Sequence, residues 1–364
     1  MSARIVVFGA TGYTGRLVLA ELVALGCRPV VAGRGERQVE ALADEYGGLD
    51  AAVADATRPG SVRALVGRGD VLVSTVGPYS VYGRAALDAA VDAGAHYLDA
   101  AGEAGFIREL FAQAGPRAEA AGCVLLPGFG FDFVPGNLAG ALAARDAGQE
   151  ARRLDVGYFF LGGTRLSSGT MATAAFTMQQ HSHALRGGRL VTLPFAAELR
   201  AFADGARRRE GLLFGGTEPL TLPAVAPQLA DVTTYLGGFG ALTPGVRLAA
   251  RATPPLLRVP VVGAGLRAAQ RRALRRTGTG PDAATRARGG TLILAVAADA
   301  AGRELARVRL QGGDPYGFTG RMMAAGAHRL ATGDPPATGA LGPVDALGLD
   351  ELERVCATAG LRRA

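Results

Sequence analysis

The sequence predicts a doubly wound parallel α/β sheet followed by a second domain of α+β type. Three observations carry this expectation. Short apolar runs alternate with helix-like segments between residues 4 and 126, a glycine-rich turn joins the first run to the first helix, and the pattern changes after Pro127. A length of 364 residues suits two domains, and 49% hydrophobic against 20% charged residues is enough apolar material for a substantial core.

The candidate strands are residues 4–9, 28–33, 51–54, 70–75, 96–100 and 123–126. Amphipathic segments such as 15–25, 61–66, 85–93 and 106–120 lie between them and are long enough for right-handed crossovers. After Pro127 the chain passes through the link Gly128-Phe129-Gly130-Phe131-Asp132-Phe133-Val134-Pro135-Gly136, and residues 137–145 then read as a helix. Residues 153–161 read as a strand with Leu154, Val156, Tyr158 and Phe160 on one face. Residues 291–298 and 305–310 read as a hairpin, because Ala306, Val308 and Leu310 alternate with Arg307, Arg309 and Gln311. The second domain is therefore expected to hold an antiparallel sheet, and the last fifty or so residues to form two helices around Asp334-Pro335-Pro336. Residues 241–276 carry Pro244, Pro254, Pro255 and Pro260, which are expected to break any long helix and leave a lid or surface arm. The expected boundaries are 1–133, 134–311 and 312–364.

Composition excludes several chemistries. All 39 basic residues are arginine, so lysine Schiff bases, lysine general bases and a phosphate-loop lysine are ruled out. The net charge of +7 suits an anionic ligand, whereas the runs at Arg207–Arg209 and Arg271–Arg276 lack interleaved aromatics, which argues against nucleic acid. Cys27, Cys123 and Cys356 are far apart and read as reduced thiols. His181 and His183 form a His-x-His without further ligands, so no metal is expected, and no nucleophile elbow is present. No apolar run reaches the roughly 18 residues of a membrane span, and the start runs directly into a strand, so a cytoplasmic chain without a transmembrane segment is expected. Contact with a membrane surface through residues 241–276 is the weaker reading of that stretch, because prolines interrupt its face.

The most informative motif is Gly9-Ala10-Thr11-Gly12-Tyr13-Thr14-Gly15, which opens a helix directly after the first strand. Glycines there let the backbone turn tightly and approach a pyrophosphate, whose charge meets the positive end of the helix. In this position the motif predicts a Rossmann-type dinucleotide site. The second strand ends at Gly33-Arg34, where an NAD-selective site would carry an acidic residue, so Arg34 is expected to hold the 2′-phosphate of NADP(H). A charge-assisted bond contributes about 1.5–3 kcal/mol, so loss of Arg34 should weaken NADPH binding roughly tenfold or more. Asp55 and Ala56 are expected on the adenine side, with Asp55 also able to cap the following helix. Val76, Gly77 and Pro78, after the fourth strand, are expected beside the nicotinamide.

These residues resemble the saccharopine dehydrogenase superfamily. The likeness rests on the glycine turn, Gly77-Pro78-Tyr79, Tyr82-Gly83, Tyr97-Leu98-Asp99 with Gly102-Glu103, and Pro127 through Asp132. Ser168-Gly169-Thr170 and Asp314-Pro315-Tyr316-Gly317-Phe318-Thr319-Gly320 add to it. Within that superfamily the chain is most similar to bacterial trans-acting enoyl reductases of lipid and polyketide assembly. The resemblance implies a Rossmann domain, an inserted substrate and dimerisation domain, a C-terminal segment returning to the first domain, and hydride transfer from NADPH. A homodimer and a small-molecule or carrier-bound acyl substrate follow from the same likeness.

Reduction of an activated C=C bond needs a polarised carbonyl and a proton donor for the α-carbon. Tyr79, Asp132 and Glu103 are the candidates, each with a structural alternative: packing for Tyr79, helix capping for Asp132, and a hydrogen bond to a neighbouring turn for Glu103. Tyr79, Tyr82, Phe131 and Thr170 are the candidate substrate contacts, Thr170 also as a helix cap. The expected activity is NADPH-dependent enoyl reduction. Imine or ketone reduction, a non-catalytic NADP(H) sensor or scaffold, and an epimerase retaining its cofactor are the alternatives.

Overall fold

The computed structural model of the protein describes residues 3–161, 181–257 and 280–364. Its contacts divide the chain into two compact units. The first comprises Met1–Ala101, Phe106–Val134 and Tyr316–Ala359, and the second Gly102–Gly105, Pro135–Pro315 and Gly360–Ala364.

All six expected strands form in the first unit, one or two residues shorter than their apolar runs: β1 (Ile5–Phe8), β2 (Val30–Gly33), β3 (Ala51–Val53), β4 (Val71–Ser74), β5 (His96–Asp99) and β6 (Val124–Leu126). The seventh strand, β15 (Gly339–Ala340), comes from the C-terminal segment and pairs with β6 through Gly339↔Val124 and Ala340↔Leu125. Every pairing is parallel, in the order β15-β6-β5-β4-β1-β2-β3. The order reverses between β1 and β4, which opens a crevice at the carboxyl ends of those strands. β1, β4, β5 and β6 are buried along their whole length, the reason they read as unbroken apolar runs rather than alternating ones.

The crossovers are α1 (Tyr13–Ala24), α2 (Glu36–Glu45), α3 (Pro59–Arg63), α4 (Tyr79–Ala93), α5 (Ala104–Glu109) and α6 (Gly115–Ala121). The single helix expected over 106–120 is interrupted by a π-helical turn at Leu110–Ala114. Pro116 explains it, since proline has no N–H to give to the carbonyl four residues back. The C-terminal segment is richer than the expected helix pair. It forms the helices Pro315–Thr332, Pro343–Leu347 and Leu349–Thr358, together with β15 and β16 (Leu361–Arg363).

The second unit is built on β7 (Arg153–Leu161), β8 (His181–Arg186), β9 (Arg189–Pro194), β10 (Leu199–Asp204), β11 (Arg207–Phe214), β12 (Asp231–Gly237), β13 (Gly290–Ala298) and β14 (Glu304–Gly312). Its main path runs β10-β11-β12-β7-β13-β14-β16. The expected hairpin is present as β13–β14, but the sheet is mixed, because β12 and β7 run parallel. The chain passes from β7 to β12 only through a long excursion that carries β8 to β11, as a pair of adjacent parallel strands requires, while helix α7 (Val134–Ala147) precedes β7. β7 is central and buried on both faces. Phe159 joins Phe202, Leu213, Tyr235, Leu292, Leu294 and Val296 in one core on one face. On the other, Leu154 and Val156 lie against α7 at Gly140, where an added Cβ would stand 3.0 and 3.6 Å from them.

Helix α8 (Glu218–Val225) completes that layer. A fifteen-residue helix, Thr243–Leu257, runs through the stretch expected to be broken by proline. Pro244 falls in its first turn, where no intrahelical donor is needed, and Pro254-Pro255 fall in its last. The remainder of that stretch, residues 258–276, lies outside the described residues. No helix among the described residues is long and apolar enough to cross a membrane.

Candidate active site

The motifs of the first unit converge on the carboxyl ends of the parallel strands. Gly9 leaves β1 with φ +89, a conformation that favours glycine, and its N–H donates to the Ala32 carbonyl at 2.9 Å. Thr75, at the end of β4, donates its hydroxyl to the carbonyls of Phe8 (3.2 Å) and Gly9 (3.1 Å), tying the two strand ends together. A Cβ on Gly15 would collide with the Gly9 carbonyl oxygen and stand 2.8 Å from Ala10 Cα, so only glycine lets α1 lie this close to β1. Helix α1 starts from Gly12 with no capping side chain and no acidic residue in its first turn. Its positive end therefore has no carboxylate of its own to offset it, the condition an anion site needs. The Tyr13 ring, next in line, meets Tyr316 edge-on at 5.2 Å.

Arg34 follows the last residue of β2, is exposed, and makes no ion pair among the described residues. Gly33 before it faces Thr11, whose Oγ1 would be 3.6 Å from an added Cβ. Asp55 does not cap a helix. Its Oδ1 accepts from the N–H and the hydroxyl of Thr57, both at 2.8 Å, and α3 begins only at Pro59. Those two bonds, with the charges of Arg58 and Arg34, hold the Asp55 carboxyl below the usual carboxylate range. The residues present thus fit a phosphorylated dinucleotide: glycine backbone for the pyrophosphate, a helix start with no acidic residue in its first turn, and an exposed guanidinium beyond β2.

Beyond β4, Val76 is partly buried and Gly77 is exposed, and the Gly77–Pro78 peptide is cis. Tyr79 opens α4, is 6% exposed and stacks on Phe106 at 5.8 Å. Its hydroxyl donates to the Ser74 carbonyl (3.1 Å) and accepts from the Ala100 N–H (3.2 Å). That proton is committed to bracing the ends of β4 and β5, which is the packing role rather than the proton-donating one. Tyr82, one turn into α4, is partly buried.

Asp99 emerges as an organiser that sequence reasoning used only as part of a motif. Fully buried at the end of β5, it accepts from the N–H groups of Ala101 (2.9 Å) and Gly128 (2.7 Å) and so shapes the turn that carries Asp132. Further along this turn, the Phe131 N–H donates to Thr319 Oγ1 at 3.0 Å, and the Phe131 ring meets Phe318 edge-on at 5.9 Å. Two motifs nearly two hundred residues apart are thereby brought together. Asp132 is reached by solvent, yet protein crowds its carboxyl. Desolvation, reinforced by the charge of Asp99, raises it to about 6. Glu103 is fully buried just before α5, in a segment that folds with the second unit. Thr170 lies outside the described residues.

The second unit holds a buried polar cluster that sequence reasoning missed. Tyr158 donates to Glu218 Oε1 at 2.6 Å and accepts from the Gly136 N–H at 2.8 Å. Asn137 links to Thr217 (2.7 Å) and Thr221 (2.6 Å), and His183 Nε2 contacts the Gly216 carbonyl at 2.7 Å, which accounts for the inward histidine of the His-x-His pair. Glu218 is fully buried, its Oε2 has no partner among the described residues, and burial raises the carboxyl to about 8 despite the bond from Tyr158. One signal could have found it: Glu218 is the only charged residue between Glu210 and Asp231.

Residues 5–126 match the family model of the saccharopine dehydrogenase NADP-binding domain. A trans-acting enoyl reductase of Mycobacterium leprae is 38% identical over 144 residues, 37% of this chain and 34% of that protein. A trans-acting enoyl reductase of Mycobacterium tuberculosis is 30% identical over 253 residues, 65% of this chain and 57% of that protein. The chain thus spans about a third to three-fifths of the length of these curated relatives. A saccharopine dehydrogenase (L-Glu forming) from Saccharomyces cerevisiae has the same fold, with a TM-score of 0.61 at 11% identity over 100% of this chain and 99% of that one.

Proposed function

We propose that this chain, whose residues 5–126 are a saccharopine dehydrogenase-type NADP-binding domain, is an NADPH-dependent reductase of an activated carbon–carbon double bond in an acyl or polyketide-like substrate. The observation that carries the cofactor half is the exposed guanidinium of Arg34 at the end of β2, without an ion pair among the described residues, beside a glycine turn that keeps side chains away from α1. The substrate half is supported by the similarity to proteins named trans-acting enoyl reductases.

Gly9, Thr11, Gly12, Tyr13, Thr14 and Gly15 hold the pyrophosphate, Arg34 the 2′-phosphate, Asp55 and Ala56 the adenine side, and Val76, Gly77 and Pro78 the nicotinamide side. Bound NADPH supplies the hydride for the β-carbon. Asp132 holds the proton for the α-carbon: desolvation keeps a fraction of its carboxyl protonated near neutral pH, as a general acid requires. Asp99 positions it through the Gly128 turn. Tyr79 braces the strand ends, while Tyr82 and Phe131 contact substrate.

Two variants test the assignment. Arg34→Asp should cost NADPH at least tenfold in affinity and leave NADH nearly unchanged, measured by titration. Asp132→Asn should lower kcat about a hundredfold or more. It should also remove the decline in activity that the wild type shows as pH rises through about 6, since the acid form is the active one. The reaction itself is tested with deuterated NADPH against enoyl, imine and ketone substrates. Deuterium on the β-carbon is the expected result. Label on an imine or carbonyl carbon would reassign the substrate, and binding without oxidation, or turnover without net NADPH use, would end the reductase reading.

A further inference from the structure

Strands β2 and β3 pair in register, Gly33 opposite Val53, and the Ala54 N–H donates to the Gly33 carbonyl at 2.9 Å. The chain therefore leaves both strand ends side by side, placing Arg34 next to the segment that begins at Asp55. That segment folds back at once. The Arg58 N–H donates to the Asp55 carbonyl at 2.8 Å, and the Ser61 hydroxyl accepts from the Asp55 N–H at 3.0 Å while donating to the Arg58 carbonyl at 2.7 Å. Arg58 is held by its backbone beside Asp55, and its side chain is exposed.

The charges around this turn do not cancel. Asp55 Oδ1 is already occupied by the Thr57 N–H and hydroxyl. Both the Arg34 and the Arg58 charges act on that one carboxyl, and neither guanidinium makes an ion pair among the described residues. Glu36, the other carboxylate close by in sequence, stands in the first turn of α2, where the positive helix end favours it. Two exposed guanidinium groups acting on a single engaged carboxylate suit a dianion.

We propose that Arg58 is the second cation of the 2′-phosphate site, closing on the ribose phosphate from the β3 side while Arg34 approaches from the β2 side, with the Asp55–Thr57 turn as the positioning element. This rests on the reading of residues 5–126 as the holder of NADP(H). Sequence spacing pointed only to the residue after β2, and the register of β3 adds the second.

The test is calorimetric titration of the full chain with NADPH, NADH, 2′,5′-ADP and 5′-ADP, for wild type, Arg58→Ala, Arg58→Lys and Arg34→Ala. Arg58→Ala should weaken NADPH and 2′,5′-ADP about tenfold and change NADH and 5′-ADP less than twofold. Arg58→Lys should recover part of the loss, because the charge remains and the fork does not. Equal losses for phosphorylated and unphosphorylated ligands, or no loss for either, would overturn the role of Arg58. If Arg34→Ala still removed the preference in that case, the proposed cofactor reading would stand without Arg58. A wild type indifferent to the 2′-phosphate would overturn both.

Discussion

Replacing Glu218 with glutamine should flatten the dependence of stability on pH between about 4.5 and 8. In the wild type the buried carboxyl is raised from 4.5 in the unfolded chain to about 8 in the folded one. The folded state therefore keeps a proton that the unfolded state releases across this interval, and stability declines as pH rises through it. The stabilisation is fully present below about 4.5 and lost by about 8. The difference amounts to about 5 kcal/mol. Glutamine keeps an acceptor for Tyr158 and cannot ionise, so E218Q should overtake the wild type at alkaline pH. Urea unfolding followed by circular dichroism at pH 5 and pH 8.5 measures the contrast. Parallel behaviour of the two proteins would mean that Glu218 is not held as a neutral acid. Gly136 is part of the same arrangement, since a Cβ there would collide with both Glu218 Oε1 and the Tyr158 hydroxyl.

The second large effect should come from Gly15→Ala. The new methyl would meet the Gly9 carbonyl oxygen and Ala10 Cα, both backbone atoms of the turn, and neither can swing away as a side chain would. Relief requires α1 to move off β1, at a cost of about 1–3 kcal/mol or more, and with it the N-terminal N–H groups that face a pyrophosphate. NADPH affinity should fall about a hundredfold or more. Gly12→Ala is the informative companion. Its Cβ would stand 3.1 Å from the Gly9 carbonyl, and φ −75 at Gly12 suits any L-residue. This variant should fold nearly as well as the wild type and still lose affinity, because the methyl intrudes where the phosphate approaches. Thermal melting and NADPH titration of both variants separate the packing cost from the binding cost. Retention of full affinity by both would remove the pyrophosphate from this turn.

Much of the first unit was legible because its signals are local. The strands announce themselves as apolar runs since both sheet faces are covered. The glycine turn is legible because the demands on Gly9 and Gly15 come from atoms within the same short segment or the adjacent strand end. Arg34 is legible because its place follows from where β2 stops. Tyr79 shows the limit of such reading. Its position at the end of β4 was clear, but the commitment of its hydroxyl depends on Ala100, at the end of the neighbouring strand.

What lay beyond the sequence shares one physical cause, the meeting of groups distant along the chain. The two-residue strand β15 has too few residues for any periodicity and exists because β6 offers it an edge. The parallel pairing of β7 with β12 follows from sheet order, which no strand encodes alone. The Tyr158–Glu218 pair, sixty residues apart, and the Phe131–Thr319 bond, 188 apart, are likewise products of packing. Composition, periodicity and a glycine motif thus determined the kind of domain and its glycine turn, since those depend on backbone geometry within a few residues. Which carboxyls keep their protons, and which cations converge beyond β2 and β3, was decided only by the tertiary fold, because desolvation and charge proximity act through space rather than along the chain.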